Sequence, residues 1–150
     1  MVDIVSAATR SRMMSAVRSR NTAPELAIRR GLHSRGFRYR LHVRALPGSP
    51  DIVLPKWRTV LFVDGCFWHG HNCHLFRLPA TRQQWWREKI DGNIARDSRA
   101  VEALTSEGWK VIRIWECALR GRVARGVEET IDLVEQMVKG DLIEGEIGGR

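Results

Sequence analysis

The sequence predicts an α/β fold: a mixed four-stranded sheet flanked by helices, in the order α-β-β-β-α-β-α. Three observations carry this. Apolar residues recur at helical spacing in two stretches and a capping box opens a third helix, short apolar or alternating runs read as strands, and one long aperiodic segment rich in Gly, Cys, His and aromatic residues interrupts them. At 150 residues the chain can bury the core of one domain.

Residues 1–21, with Arg10, Arg12, Arg18 and Arg20, have no strong period and read as a basic N-terminal arm that orders on a partner. Thr22-Ala-Pro-Glu25 has capping-box spacing with Pro in the first turn, so a helix should run to about Arg35 and stop at Gly36. Phe37, Tyr39, Leu41 and Val43 alternate with basic or polar residues as a strand does. A turn at Leu46-Pro-Gly-Ser-Pro50 leads to a second strand, Asp51–Leu54, and Pro55-Lys-Trp-Arg58 turns the chain into a third and buried strand, Thr59–Val63. Residues 64–80 have no period, and so long a loop in a small domain is usually functional. Thr81-Arg-Gln-Gln84 repeats the capping-box spacing ahead of a long helix whose stripe is Trp86, Ile90, Ile94, Val101 and Leu104. Trp109–Trp115 forms a fourth strand, and Val123, Val127, Ile131, Val134 and Val138 mark a last helix. The folded domain is thus expected over 22–140, with 141–150 a flexible tail.

The net charge is +8 and the pI is near 10.4, the electrostatic footprint of a nucleic-acid binder. Of 25 basic residues 21 are Arg, which suits bidentate contacts to phosphate and guanine. Residues 1–44 hold ten Arg against Asp3 and Glu25, whereas 127–150 hold seven acids against Lys139 and Arg150. The basic end is the better candidate to meet DNA. Charge alone leaves a merely soluble basic protein open. No stretch has the length and apolarity to span a bilayer, and Met1-Val-Asp-Ile-Val-Ser lacks the pattern of a signal peptide, so a cytoplasmic, nucleoid-associated protein without a membrane partner is expected. In that compartment three cysteines point to ligands, nucleophiles or core residues rather than disulfides.

Cys66, His69, His71, Cys73 and His74 fall within nine residues, and Cys117 follows the last strand. Cys66, His71, Cys73 and Cys117 would give three thiolates and one imidazole, a donor set for tetrahedral zinc that would pin the loop. His71 lies between the two loop cysteines and is preferred to His74 as the nitrogen ligand. The alternative is small core cysteines beside surface histidines. His69 is then spare, and an imidazole beside a rigid site suits acid–base work.

Phosphodiester hydrolysis needs a hard cation and a base for water; magnesium needs only one or two carboxylates. Asp51 opens the second strand and Asp64 ends the third, so adjacent strands would bring both to one sheet edge. Turn capping is the competing explanation for each. Asp97 interrupts the stripe of the long helix, seven residues after Ile90. It needs a cation, metal or imidazolium unless the helix rolls to solvate it, and His69 is the candidate. Glu25 serves a capping box and could also act as a functional acid where the helix start meets a metal site. Phe67 and Trp68 on the irregular loop, and Trp86 at the helix start, either build the core or act as apolar wedges that unstack a base step.

Gly65-Cys-Phe-Trp-His69, His71-Asn-Cys73, Pro79-Ala-Thr-Arg82, Trp86, Glu88-Lys-Ile90, Arg96-Asp97, Gly108-Trp109 and Trp115-Glu-Cys-Ala-Leu-Arg-Gly121 together resemble the Vsr (very-short-patch-repair) mismatch endonucleases, as do Ala8-Thr-Arg-Ser11 and Thr22-Ala-Pro-Glu25. The resemblance covers roughly residues 7–122 and is specific, because unrelated motifs recur in one order at matching spacing. It implies a restriction-endonuclease-like core with a zinc-bound loop, making 22–140 an endonuclease domain. It implies catalytic magnesium on the Asp51 carboxylate and the Val63 backbone carbonyl, His69 as general base supported by Asp97, and a contribution from Glu25. It implies structural zinc at Cys66, His71, Cys73 and Cys117, with Phe67, Trp68 and Trp86 intercalating beside the mismatch. The implied reaction nicks double-stranded DNA 5′ of the thymine in a T·G mispair arising from 5-methylcytosine deamination, by a monomer coupled to mismatch-repair proteins. Where restriction enzymes carry a second acid and a Lys, this chain has Val63 and Gly65, which suits a histidine in the lysine's place. A restriction-type nuclease of other specificity, or a non-catalytic zinc module for damaged DNA, would share most of these features.

Overall fold

The structure, a computed structural model, describes residues 21–150; the basic arm read over 1–21 lies outside the described residues except for Asn21. Helix α1 (Ala23–Ser34) starts as its sequence dictates: the Thr22 side chain accepts from the Glu25 amide, and Pro24 sits in the first turn. Strands β1 (Arg40–Leu41), β2 (Ile52–Leu54) and β3 (Thr59–Asp64) follow. Next come the long helix α2 (Gln83–Ser106), β4 (Lys110–Trp115), α3 (Val127–Lys139) and β5 (Glu144–Ile147).

Among the described residues the sheet has five strands in the spatial order β1-β2-β3-β4-β5. β1 and β3 each pair antiparallel with β2, and β3, β4 and β5 run parallel. α2 and α3 make the two parallel crossovers. The four-stranded sheet expected from sequence is therefore corrected to five, and the segment 141–150 contributes a strand where a flexible tail was expected. β5 pairs Glu144–Ile147 with Val111–Ile114, which ties its backbone into the sheet despite its exposed acidic residues. β1 keeps only two residues of the expected run, and His42, at φ 49, ends it.

Strand alternation divides the core. Leu61, Ile112 and Ile114 point to the side packed by α1 and α3, against Ile28, Leu32, Ile131, Val134 and Val138. Val60 and Val111 point to the other side, where Leu104 of α2 covers them. Continuing the same alternation, Asp64 and Arg113 fall on the α2 side, and so does Trp115. The Lys110 ammonium caps the end of α3, donating to the carbonyls of Met137 at 2.7 Å and Gly140 at 2.6 Å.

Three local readings change. α2 begins without the capping box expected at Thr81: Arg82 is left-handed, at φ 56, with no side-chain cap, and its guanidinium lies over Trp85 at 4.8 Å. Ile94 of the α2 stripe is 40% exposed. Val123 precedes α3, which starts only after Gly126 at φ 92.

Candidate active site and metal centre

The end of β3, the loop after it and the start of the turn after β4 meet at the zinc-type donor set. The ligand atoms of Cys66, His71, Cys73 and Cys117 all lie within 4.8 Å of one another. The His71 Nδ1 is 3.5 Å from both the Cys66 and the Cys117 sulfur, a separation that a tetrahedron of thiolate and imidazole donors produces. Burial pushes the Cys66 thiol far up, and the neighbouring cysteine sulfurs add to it, so without a cation Cys66 would stay protonated. Burial lowers the His71 imidazolium, favouring the neutral form a metal requires. His71 stacks on Trp115 at 4.1 Å and 6°. The chain end closes the corner: the Gly149 amide donates to the Cys117 sulfur at 3.2 Å, and a Cβ at that glycine would lie 2.6 Å from Val123. The donor chemistry and spacing fit zinc. His74 stands outside the set, its buried Nε2 without a hydrogen-bond partner.

Beside this corner a cavity of about 770 Å³ is lined by Glu25, Asp51, Asp64, His69, Asp97 and Arg113, among others. The antiparallel β2–β3 pair puts Asp51 and Asp64 at one sheet edge, as the sequence suggested. The Asp51 carboxylate accepts from the Val63 amide at 2.7 Å. Its pKa is raised to about 7, chiefly by burial and further by the charges of Asp64 and Glu25, with the Val63 hydrogen bond opposing. Acids crowded in this way suit a hard divalent cation, the condition for magnesium at Asp51.

Among the described residues two acid–histidine groups supply the acids of this cavity, and of their histidines His69 lines it. In one, Glu25, His42 and Asp51 place a ligand atom each within 4.8 Å of one another. Glu25 is 2% exposed, and its carboxylate meets Arg29 at 3.0 Å, His42 Nε2 at 3.0 Å and the Asn21 amide at 3.1 Å. Glu25 thus belongs both to the helix start and to the site. The structure adds His42, which sequence reasoning passed over because it sat in the alternation of a strand.

In the other group His69 lies between Asp97 and Asp64. Its Nδ1 is 2.6 Å from Asp97 Oδ2 and its Nε2 is 3.6 Å from Asp64 Oδ1. Burial would lower the imidazolium, but the Asp97 hydrogen bond and the charges of Asp64 and Asp97 outweigh it, and the net shift is upward. Asp64 is raised by burial, with His69 and Arg113 opposing. Asp97 therefore turns inward to an imidazole, as its place in the stripe suggested, and does not roll to solvent. Asp51 belongs to the neighbouring group but lines the same cavity.

At the rim Phe67, Trp68 and Trp86 touch in a cluster, with centroids 5.1 to 5.9 Å apart. Phe76, 6.1 Å from Phe67, and Trp85, 4.8 Å from Trp86, extend it. Phe76 went unread in the sequence because it lies in the aperiodic loop, whereas Trp85 opens the long helix beside Trp86 and has the same two readings, core or wedge.

The chain matches the profile of the family described as DNA mismatch endonuclease Vsr over residues 2–75. It is 43% identical to the DNA mismatch endonuclease Vsr of Escherichia coli (strain K12) over 141 residues, 94% of this chain and 90% of that protein. The protein belongs to the Vsr family. It is also 53% identical to the type II nicking enzyme V.XorIIP of Xanthomonas oryzae pv. oryzae over 119 residues, 79% of this chain and 88% of the relative. A third relative, the type II nicking enzyme V.NmeAIP of Neisseria meningitidis, is 41% identical over 140 residues, 89% of this chain and the whole of the relative. The chain is accordingly an endonuclease acting on DNA, and the reading as a non-catalytic module is set aside. Among the described residues no helix is long and apolar enough to cross a membrane.

Proposed function

We propose that this Vsr-family endonuclease nicks double-stranded DNA 5′ of the thymine in a T·G mispair left by 5-methylcytosine deamination, producing a 5′-phosphate. The observation that carries the reading is the convergence of Glu25, Asp51, His69 and Asp97 on one cavity beside the aromatic rim. Asp51, with the Val63 backbone carbonyl, would hold magnesium; when bound, that ion polarises the phosphate and stabilises the charge that develops on it. His69 accepts the proton of the attacking water through Nε2 while Asp97 holds Nδ1–H and so fixes the tautomer. Glu25 completes the acid face against Asp51. Phe67, Trp68 and Trp86 wedge into the base stack, which is easiest to open at a mismatch. Zinc on Cys66, His71, Cys73 and Cys117 fixes the loop that carries Phe67, Trp68 and His69. The protein works as a monomer on nucleoid DNA in the cytoplasm, upstream of mismatch-repair proteins.

The test is a strand-resolved nicking assay on T·G and fully paired duplexes, with and without magnesium. The wild type should cut only the thymine strand of the mismatched duplex and only with magnesium. His69→Ala should lose about 10²–10⁴-fold in rate, the worth of a positioned proton acceptor, while binding the duplex normally. Cleavage of paired DNA at a comparable rate would instead favour a restriction-type specificity on this scaffold, and undiminished nicking by His69→Ala would remove it as the base.

A further inference from the structure

Asp64 and Arg113 have no part in the chemistry described so far, yet they close a ring around its base. Arg113 projects from the middle of β4 on the side that α2 covers, where strand alternation would otherwise call for an apolar residue between Val111 and Trp115. Its Nε donates to Asp64 Oδ2 at 3.0 Å, and its Nη2 pairs with the same oxygen at 2.9 Å. The same Nη2 reaches Asp97 Oδ2 at 3.3 Å, and that oxygen also binds His69 Nδ1 at 2.6 Å. Asp64 Oδ1 is left facing His69 Nε2 at 3.6 Å. The guanidinium lies over Trp115 at 4.3 Å, and its side chain is only 16% exposed. A planar fork on a ring face has little freedom to turn away.

We propose that Arg113 is a positioning residue for the nicking reaction, a clamp whose forked donors set Asp97 on one nitrogen of His69 and the free oxygen of Asp64 beside the other. The inference rests on the reading of His69 as the base. In that geometry a water at Nε2 has two acceptors, the imidazole nitrogen and Asp64 Oδ1, so its lone pair is turned toward the phosphorus. The proton passes to Nε2, the water oxygen forms the new P–O bond, and the 3′-oxygen of the preceding nucleotide leaves with the electrons of the broken bond. Asp64 orients and takes up no proton. Lys at position 113 would keep the charge but not the fork, and could not serve both carboxylates with the same geometry.

The experiment measures single-turnover nicking of a T·G duplex per folded molecule, alongside duplex affinity without magnesium and the melting temperature. Arg113→Met and Arg113→Lys should each lower the chemical rate about 10- to 100-fold, as loss of an orienting partner does, with affinity unchanged. Asp64→Asn should fall in the same range, and Asp64→Asn with Arg113→Met should be no slower than Arg113→Met alone, because both act through one clamp. Arg113→Lys also covers the case in which Arg113→Met fails to fold. A wild-type rate in Arg113→Lys would show that only charge balance matters and would overturn the proposal. A loss confined to affinity would do so by making Arg113 a DNA-phosphate ligand, and multiplying losses in the double variant by making the two residues independent. Wild type and His69→Ala are run in parallel. If His69→Ala nicks normally, the base reading and the clamp fall together; if it is inactive while Arg113→Met is fast, only the clamp falls.

Discussion

The two acid–histidine groups around the cavity have the same inventory, two carboxylates and one imidazole, yet their electrostatics differ. In the group at α1, Arg29 and His42 are both engaged by Glu25, and the partners of Asp51 are a backbone amide and other acids. Asp51 has no cationic partner among the described residues; burial first, and then the charges of Asp64 and Glu25, raise it to about 7. In the group at α2, Arg113 is built in against both Asp64 and Asp97. A carboxylate left without a cationic partner, as Asp51 is, suits a cation taken from solution, whereas two carboxylates that share one guanidinium, as Asp64 and Asp97 do, leave their histidine to handle protons. The same residue types thus divide the work by what stands next to them.

The largest break in this comparison comes from Asp51→Asn. Removing the charge of the carboxylate proposed to hold magnesium should cost several kcal/mol of transition-state stabilisation, roughly 10³-fold or more in nicking rate. It should also raise the magnesium concentration needed for half-maximal rate. Asp64→Asn should leave that magnesium dependence unchanged, since its partners are protein groups; a magnesium titration of both variants decides whether the two groups are as distinct as their contacts suggest.

The sequence made one of these groups more legible than the other. Asp51 and Asp64 could be placed at one edge because the strands carrying them are joined by a short turn. Asp97 was legible because a carboxylate in an apolar stripe demands a partner, and the Cys–His cluster because its ligands are mostly local. His42 was not, since its side chain reaches Glu25 only after the backbone turns at φ 49, which no flanking Gly or Pro announces. Arg113 was not singled out: it is one charge within an otherwise mostly apolar strand, and only the helix covering that side makes it an interior residue. β5 escaped because Glu144–Ile147 is short and acidic, and its conformation comes from pairing with β4.

A smaller effect concerns stability. Asp51 in the folded, metal-free protein holds its proton up to about 7 against an ordinary 3.8. Between those values the native state binds a proton that the unfolded state has released, so stability must fall as pH rises through the window. The raised Asp64 adds a loss of the same sign, and the raised His69 one at higher pH. The melting temperature of zinc-loaded, magnesium-free protein should therefore decline from mildly acidic to neutral pH, by roughly 2–4 °C for each about 1 kcal/mol lost. Magnesium should reverse the decline most at the alkaline end, because it binds the ionised carboxylate. Asp51→Asn should flatten both responses; an unchanged pH slope in that variant would assign it to the other group.

The smallest effect is expected where the two groups look most alike, at their histidines. His42 Nε2 is 3.1 and 3.0 Å from the two Glu25 oxygens, so the imidazole is occupied in holding a carboxylate that also has Arg29 and the Asn21 amide. Losing one of several partners of Glu25 costs about one charge-assisted hydrogen bond, roughly 1.5–3 kcal/mol of stability at most. Asn at position 42 tolerates the left-handed backbone that His42 adopts, so His42→Asn tests the side chain without adding strain. The melting temperature should fall by several degrees, while the nicking rate of the folded fraction stays within about 10-fold of wild type, below the loss expected for a proton acceptor. If His42→Asn instead matches His69→Ala in rate, both groups handle protons, and the division drawn from Arg113 does not hold.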